Sequence, residues 1–364
     1  MQDRARRALP RFLRRLRPGV ALLFLLHKGE KPMSRNRTIL ALLLAAMAMA
    51  LLASFCLGAS NVTPSALLHA LITGERESVA ARVFWYIRLP RALAAILAGS
   101  ALSTAGLLLQ SVLRNPLASP GVIGINAGAG LCALVCMAFF PNLAALTPLA
   151  AFCGACLAAF CVYLLARLTG ASRTTIVLAG VAVNSLLGAA MDAIVTVVPD
   201  AVVSRSSFSI GGFANTSMAQ LGFAAPMCLA GLLIALLFRR ELSVMALGDD
   251  VAHSLGLRVE RCRALFLIAA AMLAGGAVSF AGLIGFVGLI SPHMARLLCR
   301  DDSHLQIPIA IAFGATLCLV CDLAARTLFS PYELPVGIVL SFLGAPFFLH
   351  LLLIRKKRSR HDAD

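Results

Sequence analysis

Charge is scarce along this chain. Asp, Glu, Lys and Arg make up 13% of its 364 residues, 60% are hydrophobic, and the mean hydropathy is +0.90. That apolar excess is more than one soluble core of this length hides, so an ordinary soluble domain is excluded and lipid becomes part of the solvent. Acids are half as frequent as bases, 16 against 32. No G-x-x-x-x-G-K-[ST] loop is present to cradle phosphates. Also missing are the paired acid, the His-Glu-x-x-His motif and the Ser/His constellation that a membrane-embedded hydrolase needs. The chain therefore carries neither a phosphate loop nor a recognisable hydrolytic centre.

What the chain has in abundance is long apolar runs. A spanning helix needs roughly 20 mainly apolar residues to cross about 30 Å of hydrocarbon, and on that measure about ten spans are expected. They are Thr38–Gly58, Leu89–Leu113, Gly121–Phe140, Leu146–Leu168, Thr174–Val198, Ala219–Phe238, Ala264–Phe280, Gly282–Cys299, Ile307–Leu328 and Val336–Ile354. The seventh and eighth are short, Gly-rich and nearly continuous. The expected fold is an all-α membrane bundle.

Lys and Arg resist translocation and collect in the cytoplasm. With the amino terminus inside, Arg76, Arg82, Arg88, Arg91, Arg205 and Arg326 fall outside, and all other Lys and Arg fall inside or at inner helix ends. An even number of spans also returns the basic tail, residues 355–364, to the cytoplasm. The net charge of +16 is then a topology signal and an attraction to lipid headgroups, with no need for nucleic acid. Residues 1–37 form a separate basic zone before the transmembrane region, residues 38–354. Met33 precedes Ser34-Arg-Asn-Arg37 and the first span, which offers a second start and would leave residues 1–32 without function.

The second span is built for close helix contact. Gly99, Ser103 and Gly106, with Ala98, Ala101 and Ala105 between them, let neighbouring backbones approach, and a tightly packed bundle of this kind suggests a pathway. The span ends at Gln110 and is followed by Arg114, Asn115 and Pro116. Gly282, Gly285 and Gly288 repeat by three before Pro292, giving a second smooth face. Pro116 and Pro292 lack an N–H and tend to end or kink a helix.

Two regions invite partners. Between the sixth and seventh spans, Leu247-Gly248-Asp249-Asp250-Val251-Ala252-His253-Ser254-Leu255-Gly256 spaces Leu247, Val251 and Leu255 by four. Asp249 or Asp250 is suited to cap the start of a helix and Gly256 to end it. So short a helix is marginal alone, and either a partner groove or the lipid headgroups would stabilise it. On the outer side, Arg88, Arg91 and Arg326, with Glu333 nearby, suggest a basic docking surface. Their alternatives are snorkelling of Arg88 and Arg91 to headgroups and pairing of Arg326 with Asp322 four residues away. Asp192 is a lone acid in the fifth span, a type of residue that often faces an aqueous path.

Other features point to packing. Cys153 and Cys156, like Cys318 and Cys321, have C-x-x-C spacing but lie inside apolar spans, and no His or acid cluster completes a metal site beside the first pair. His293, single and near a helix end, more often caps carbonyls or meets water than binds metal. Ala98–Leu107 recurs as Ala274–Leu283, and the same offset brings Pro116 onto Pro292, as internal duplication would.

Ile87–Arg91, the small-residue helix with Gln110 and Arg114–Gly121, Leu247–Gly256, Gly282–Arg296, Cys321–Arg326 and Glu333–Phe348 occur in an order that resembles the FecCD permeases. These are membrane subunits of ABC importers for iron-siderophores, haem and cobalamin. The resemblance covers Thr38–Ile354 and implies a type II importer bundle in the inner membrane with both termini cytoplasmic. It also implies a homodimer or paired homologous permease, two ATPase subunits beneath and a periplasmic or lipid-anchored binding protein above. ATP and magnesium then belong to the ATPase, and this chain carries no cofactor. Leu247–Gly256 becomes the coupling helix, and Arg88, Arg91 and Arg326 match positions that meet acids of the binding protein. Ferric siderophore is the first expectation for cargo, with haem and cobalamin behind it. The rival class is an ion-driven secondary transporter, for which Asp192 and Asp322 give thin support.

Overall fold

The structure is a computed structural model, and it describes residues 32–58, 62–73, 78–168, 173–299 and 303–361. The basic zone before residue 32 and Arg76 lie outside the described residues. The helices are α1 (Pro32–Cys56), α2 (Pro64–Thr73), α3 (Val79–Val83), α4 (Leu89–Val112), α5 (Ile125–Phe139), α6 (Thr147–Leu168), α7 (Arg173–Val197) and α8 (Ala201–Ile210). They continue with α9 (Met218–Leu237), α10 (Arg239–Leu247), α11 (Asp249–Ser254), α12 (Val259–Ala281), α13 (Val287–Cys299), α14 (Gln306–Thr327) and α15 (Val336–His361).

Among the described residues, seven helices are long and apolar enough to cross a bilayer, and α5, α13 and the first part of α15 are shorter apolar helices. Together these correspond to the ten expected spans, with altered edges. The first helix starts at Pro32, where a proline at the opening position loses no hydrogen bond. The last runs on to His361, so the basic tail is helical over most of its length. The eighth span is the largest change. α13 has 13 residues, about 20 Å of helix and short of a full crossing. Residues 282–286 ahead of it are non-helical, with Gly282 at φ +67° and Phe286 at φ +63°.

The middle of the bundle is α4 and α12, for which 83% and 78% of the apolar window is buried, against 11% for α1 and for α7. Small residues explain why α4 is central. A Cβ on Gly99 would lie 2.3 Å from the carbonyl oxygen of Gly314 in α14, and one on Gly106 would lie 1.9 Å from that of Gly288 in α13. Ser103 donates to the Ala310 carbonyl at 2.6 Å, so its hydroxyl reinforces the contact with α14. Packing and interhelical hydrogen bonds hold these helices together, because the hydrophobic effect gives little drive between surfaces already in lipid.

The sequence echo does not mark equivalent structure. Ala98–Leu107 lies within α4, whereas Ala274–Leu283 runs off the end of α12. Pro116 sits between helices and Pro292 sits inside α13.

Candidate functional site

In the segment expected on the inner side, Gly248 separates α10 from α11 with φ +131°, a conformation that L side chains rarely adopt. The expected aspartate cap is therefore corrected: Gly248 takes the capping position, and Asp249 and Asp250 fill the first turn of α11. Acids there still favour the helix electrostatically. Gly256, at φ +81°, ends the segment as expected. Ala252 is buried against the bundle, while Leu247, Val251 and Leu255 are 62%, 43% and 64% exposed. Leu247 at the end of α10, and Val251 and Leu255 in and just after α11, are thus open apolar side chains on either side of the Gly248 break, beside exposed Asp250, His253 and Ser254.

Arg263 anchors this segment. It lies in the second turn of α12, is 3% exposed, and reaches Asp249 of α11 at 3.0 Å and Glu260 of its own helix at 2.7 Å. Sequence reasoning missed it. Its signal was an arginine placed just inside the start of an apolar helix, where burial demands a partner. Nearby, Gln110 donates to the Gly288 carbonyl at 3.0 Å and accepts from Arg296, joining the end of α4 to α13. Asn115 accepts from the Leu117 N–H at 3.0 Å and shapes the turn around Pro116.

The arginine cluster expected on the outer side departs from expectation. Arg88, Arg91 and Arg326 come together but are 2%, 4% and 2% exposed, so they do not form an open basic surface. Arg91 contacts Asp322 at 2.9 and 3.1 Å and Glu333 at 2.6 Å. Arg326 lies 3.6 Å from Asp322 and donates to the Ser54 carbonyl at 2.8 Å. Arg88 donates to the carbonyls of Phe55 and Cys56. Two of these guanidinium groups therefore cap the last turn of α1, whose carbonyls have no partner within the helix. Buried arginines in hydrocarbon must be paired in this way or pay a large desolvation cost.

Two cavities open beside these elements. One of about 490 Å³ is bounded by Arg91 and Glu333 and by Ser207, Phe208 and Gly282. The other, of about 720 Å³, is lined by Asn126, Ser209, Gly285, Ser341, Phe342 and neighbouring apolar groups, with no ionisable side chain among its described lining residues. Of the small residues expected along a pathway, only Gly282 and Gly285 border these cavities. Gly99, Ser103, Gly106, Gly288 and Pro292 are buried between helices and act as packing contacts. Asp192 lines neither cavity and pairs with Arg205 on an exposed face. His293 packs its ring edge-on to Phe347, 5.8 Å between centroids. Cys318 and Cys321 are buried in α14, whereas Cys153 is exposed.

A family model described as the FecCD transport family matches residues 42–355. The achromobactin transport system permease protein CbrC of Dickeya dadantii is 39% identical over 87% of this chain and 91% of that protein. The hemin transport system permease protein HmuU of Yersinia pestis is 35% identical over 85% and 94%. The cobalamin import system permease protein BtuC of Halobacterium salinarum is 36% identical over 75% and 74%. Among solved structures, a metal-chelate type ABC transporter in an inward-facing conformation superposes with a TM-score of 0.76 at 26% identity, covering 87% of this chain and 99% of that one.

Proposed function

This chain belongs to the FecCD transport family and is the permease subunit of an ABC importer, and from that premise we propose that it moves an iron–siderophore complex inward across the inner membrane by ATP-driven alternating access. It works as one of two permease subunits, with two ATP-hydrolysing chains against the inner face, a binding protein against the outer face, and both termini in the cytoplasm. The observation that carries this reading is the exposed row Leu247, Val251 and Leu255 on the short inner helices, beside charged groups that keep the segment out of lipid. An amphipathic helix of so few turns gains stability by laying its apolar side into a groove of another protein. The chain has no phosphate loop, so the nucleotide belongs to that protein.

The alternating step is a two-state change in helix arrangement, which a tightly packed bundle supports better than continuous deformation. The charge-free wall of the larger cavity suits passage without tight retention, with recognition left to the binding protein. Iron chelates are the favoured cargo because relatives named for iron(III)-citrate, achromobactin and iron(III)-hydroxamate stand beside those named for hemin and cobalamin. Reconstitution in liposomes tests the reading. Uptake is expected to require a separate ATPase and a binding protein and to survive collapse of ion gradients; uptake by this chain alone would overturn it. Mass spectrometry of the cargo carried by the matching binding protein tests the siderophore assignment.

A further inference from the structure

The inner helix α11 is held at its first residue by α12, and the turn after α4 lies close to the glycine that precedes it. Arg114, just past the end of α4, lies 3.2 Å from where a Cβ on Gly248 would stand. Arg263 of α12 holds Asp249 at 3.0 Å and Glu260 at 2.7 Å while only 3% of it is exposed. Asp249 and Glu260 have side chains 35% and 58% exposed, so the buried member of the group is the arginine. The whole of α12 is 23 residues long, a rod of about 34 Å, with Arg263 in its second turn. Its far end, Ser279–Ala281, walls the smaller cavity, and Leu283 and Gly285 just beyond wall the larger one. One side chain thus joins the open apolar surface to a helix whose other end borders both cavities.

We propose that Arg263 is a positioning residue that transmits displacement of α11 to α12, and through α12 to the cavity walls. The assignment rests on the reading of α10–α11 as the ATPase contact and goes beyond it by naming the link. A planar guanidinium suits this task because its rigid geometry holds Asp249 of α11 at a fixed angle, whereas an ammonium group on a flexible stem would let α11 swivel. Moving α11 while leaving α12 in place would part the buried Arg263 from Asp249, the less exposed of the two acids it holds, so that separation is resisted.

The test uses the reconstituted complex with its ATPase and binding protein, and reads cargo moved per ATP hydrolysed. Asp249→Asn, which removes the acid on α11, is expected to lower that ratio about tenfold, an ordinary coupling magnitude, with the ATPase still co-purifying. Glu260→Gln removes the more exposed acid on α12 itself and is expected to change the ratio less than about twofold. The triple variant Asp249→Arg, Arg263→Asp and Glu260→Gln rebuilds the pair with reversed polarity and is expected to recover most of the wild-type ratio, a result that a merely structural role would not produce. An unchanged ratio in Asp249→Asn, an equal loss in Glu260→Gln, or no recovery in the triple variant would overturn the assignment. Failure of the underlying reading looks different: wild-type uptake would then proceed without the ATPase.

Discussion

The α10–α11 end and the arginine-cluster end of this bundle carry their interaction chemistry in opposite ways. At the first, proposed to be the inner one, Leu247, Val251 and Leu255 stand open while the charge that supports the segment, Arg263, is buried. At the second, proposed to be the outer one, Arg88, Arg91 and Arg326 are themselves buried, committed to Asp322, Glu333 and the last carbonyls of α1. Apolar side chains can be left exposed at modest cost when a partner covers them. Buried charges have no such latitude, because an unpaired ion in a low-dielectric interior is expensive. The inner surface is ready for contact as it stands, whereas any outer contact through the arginines has first to compete with bonds already made.

That contrast can be broken at several points. The largest expected effect is at Asp322, which is 1% exposed and serves both Arg91 and Arg326. Asp322→Ala is expected to cost about 3–5 kcal/mol, since it leaves two guanidinium groups short of a counter-charge. Thermal unfolding in detergent would show it, and an unchanged midpoint would mean that the outer cluster is not what holds α4 to α14.

Replacing Val251 and Leu255 together by Asp should do the reverse. Stability should shift by less than about 0.5 kcal/mol, as for other exposed positions, while the ATPase is lost on co-purification or hydrolysis is uncoupled from uptake. Normal transport by this variant would remove the coupling role.

A small stability effect is also expected at Glu333, whose side chain is 36% exposed. Glu333→Gln should cost about 0–1 kcal/mol and, by releasing one side of Arg91, should tighten docking of an acidic binding protein. Weaker docking would show that Glu333 itself makes the contact.

Much of this organisation was legible in the residues. Spans announce themselves by apolar length, and Leu247, Val251 and Leu255 are exposed, although Gly248 breaks the single helix that their four-residue spacing implies. Gly99 and Gly106 were correctly seen as sites of close approach, but periodicity cannot say whether a smooth face meets another helix or a pathway. Both meet helices. The break before α13 was hidden because Phe286, a residue type that seldom takes positive φ, shares it with Gly282. The burial of the outer arginines was hidden for another reason. Their partners are remote in sequence: Arg326 reaches Ser54 and Arg91 reaches Glu333, 272 and 242 residues away. Local charge patterns describe what a residue brings and say nothing of which distant carbonyl will claim it.

The fastening of α1 has a mechanical consequence. Asn36 donates to the Cys299 carbonyl at 3.2 Å near one end, and Ser54 receives Arg326 near the other, while most of the helix between them faces outward. Those two clasps stand about 27 Å apart along the axis, close to the thickness of a bilayer's hydrocarbon. A helix pinned at both ends has lost the freedom to lean, so a thinner or thicker membrane must deform around it or pull on one of its clasps. Through these two clasps α1 ties the end of α13 to the end of α14 along its own length.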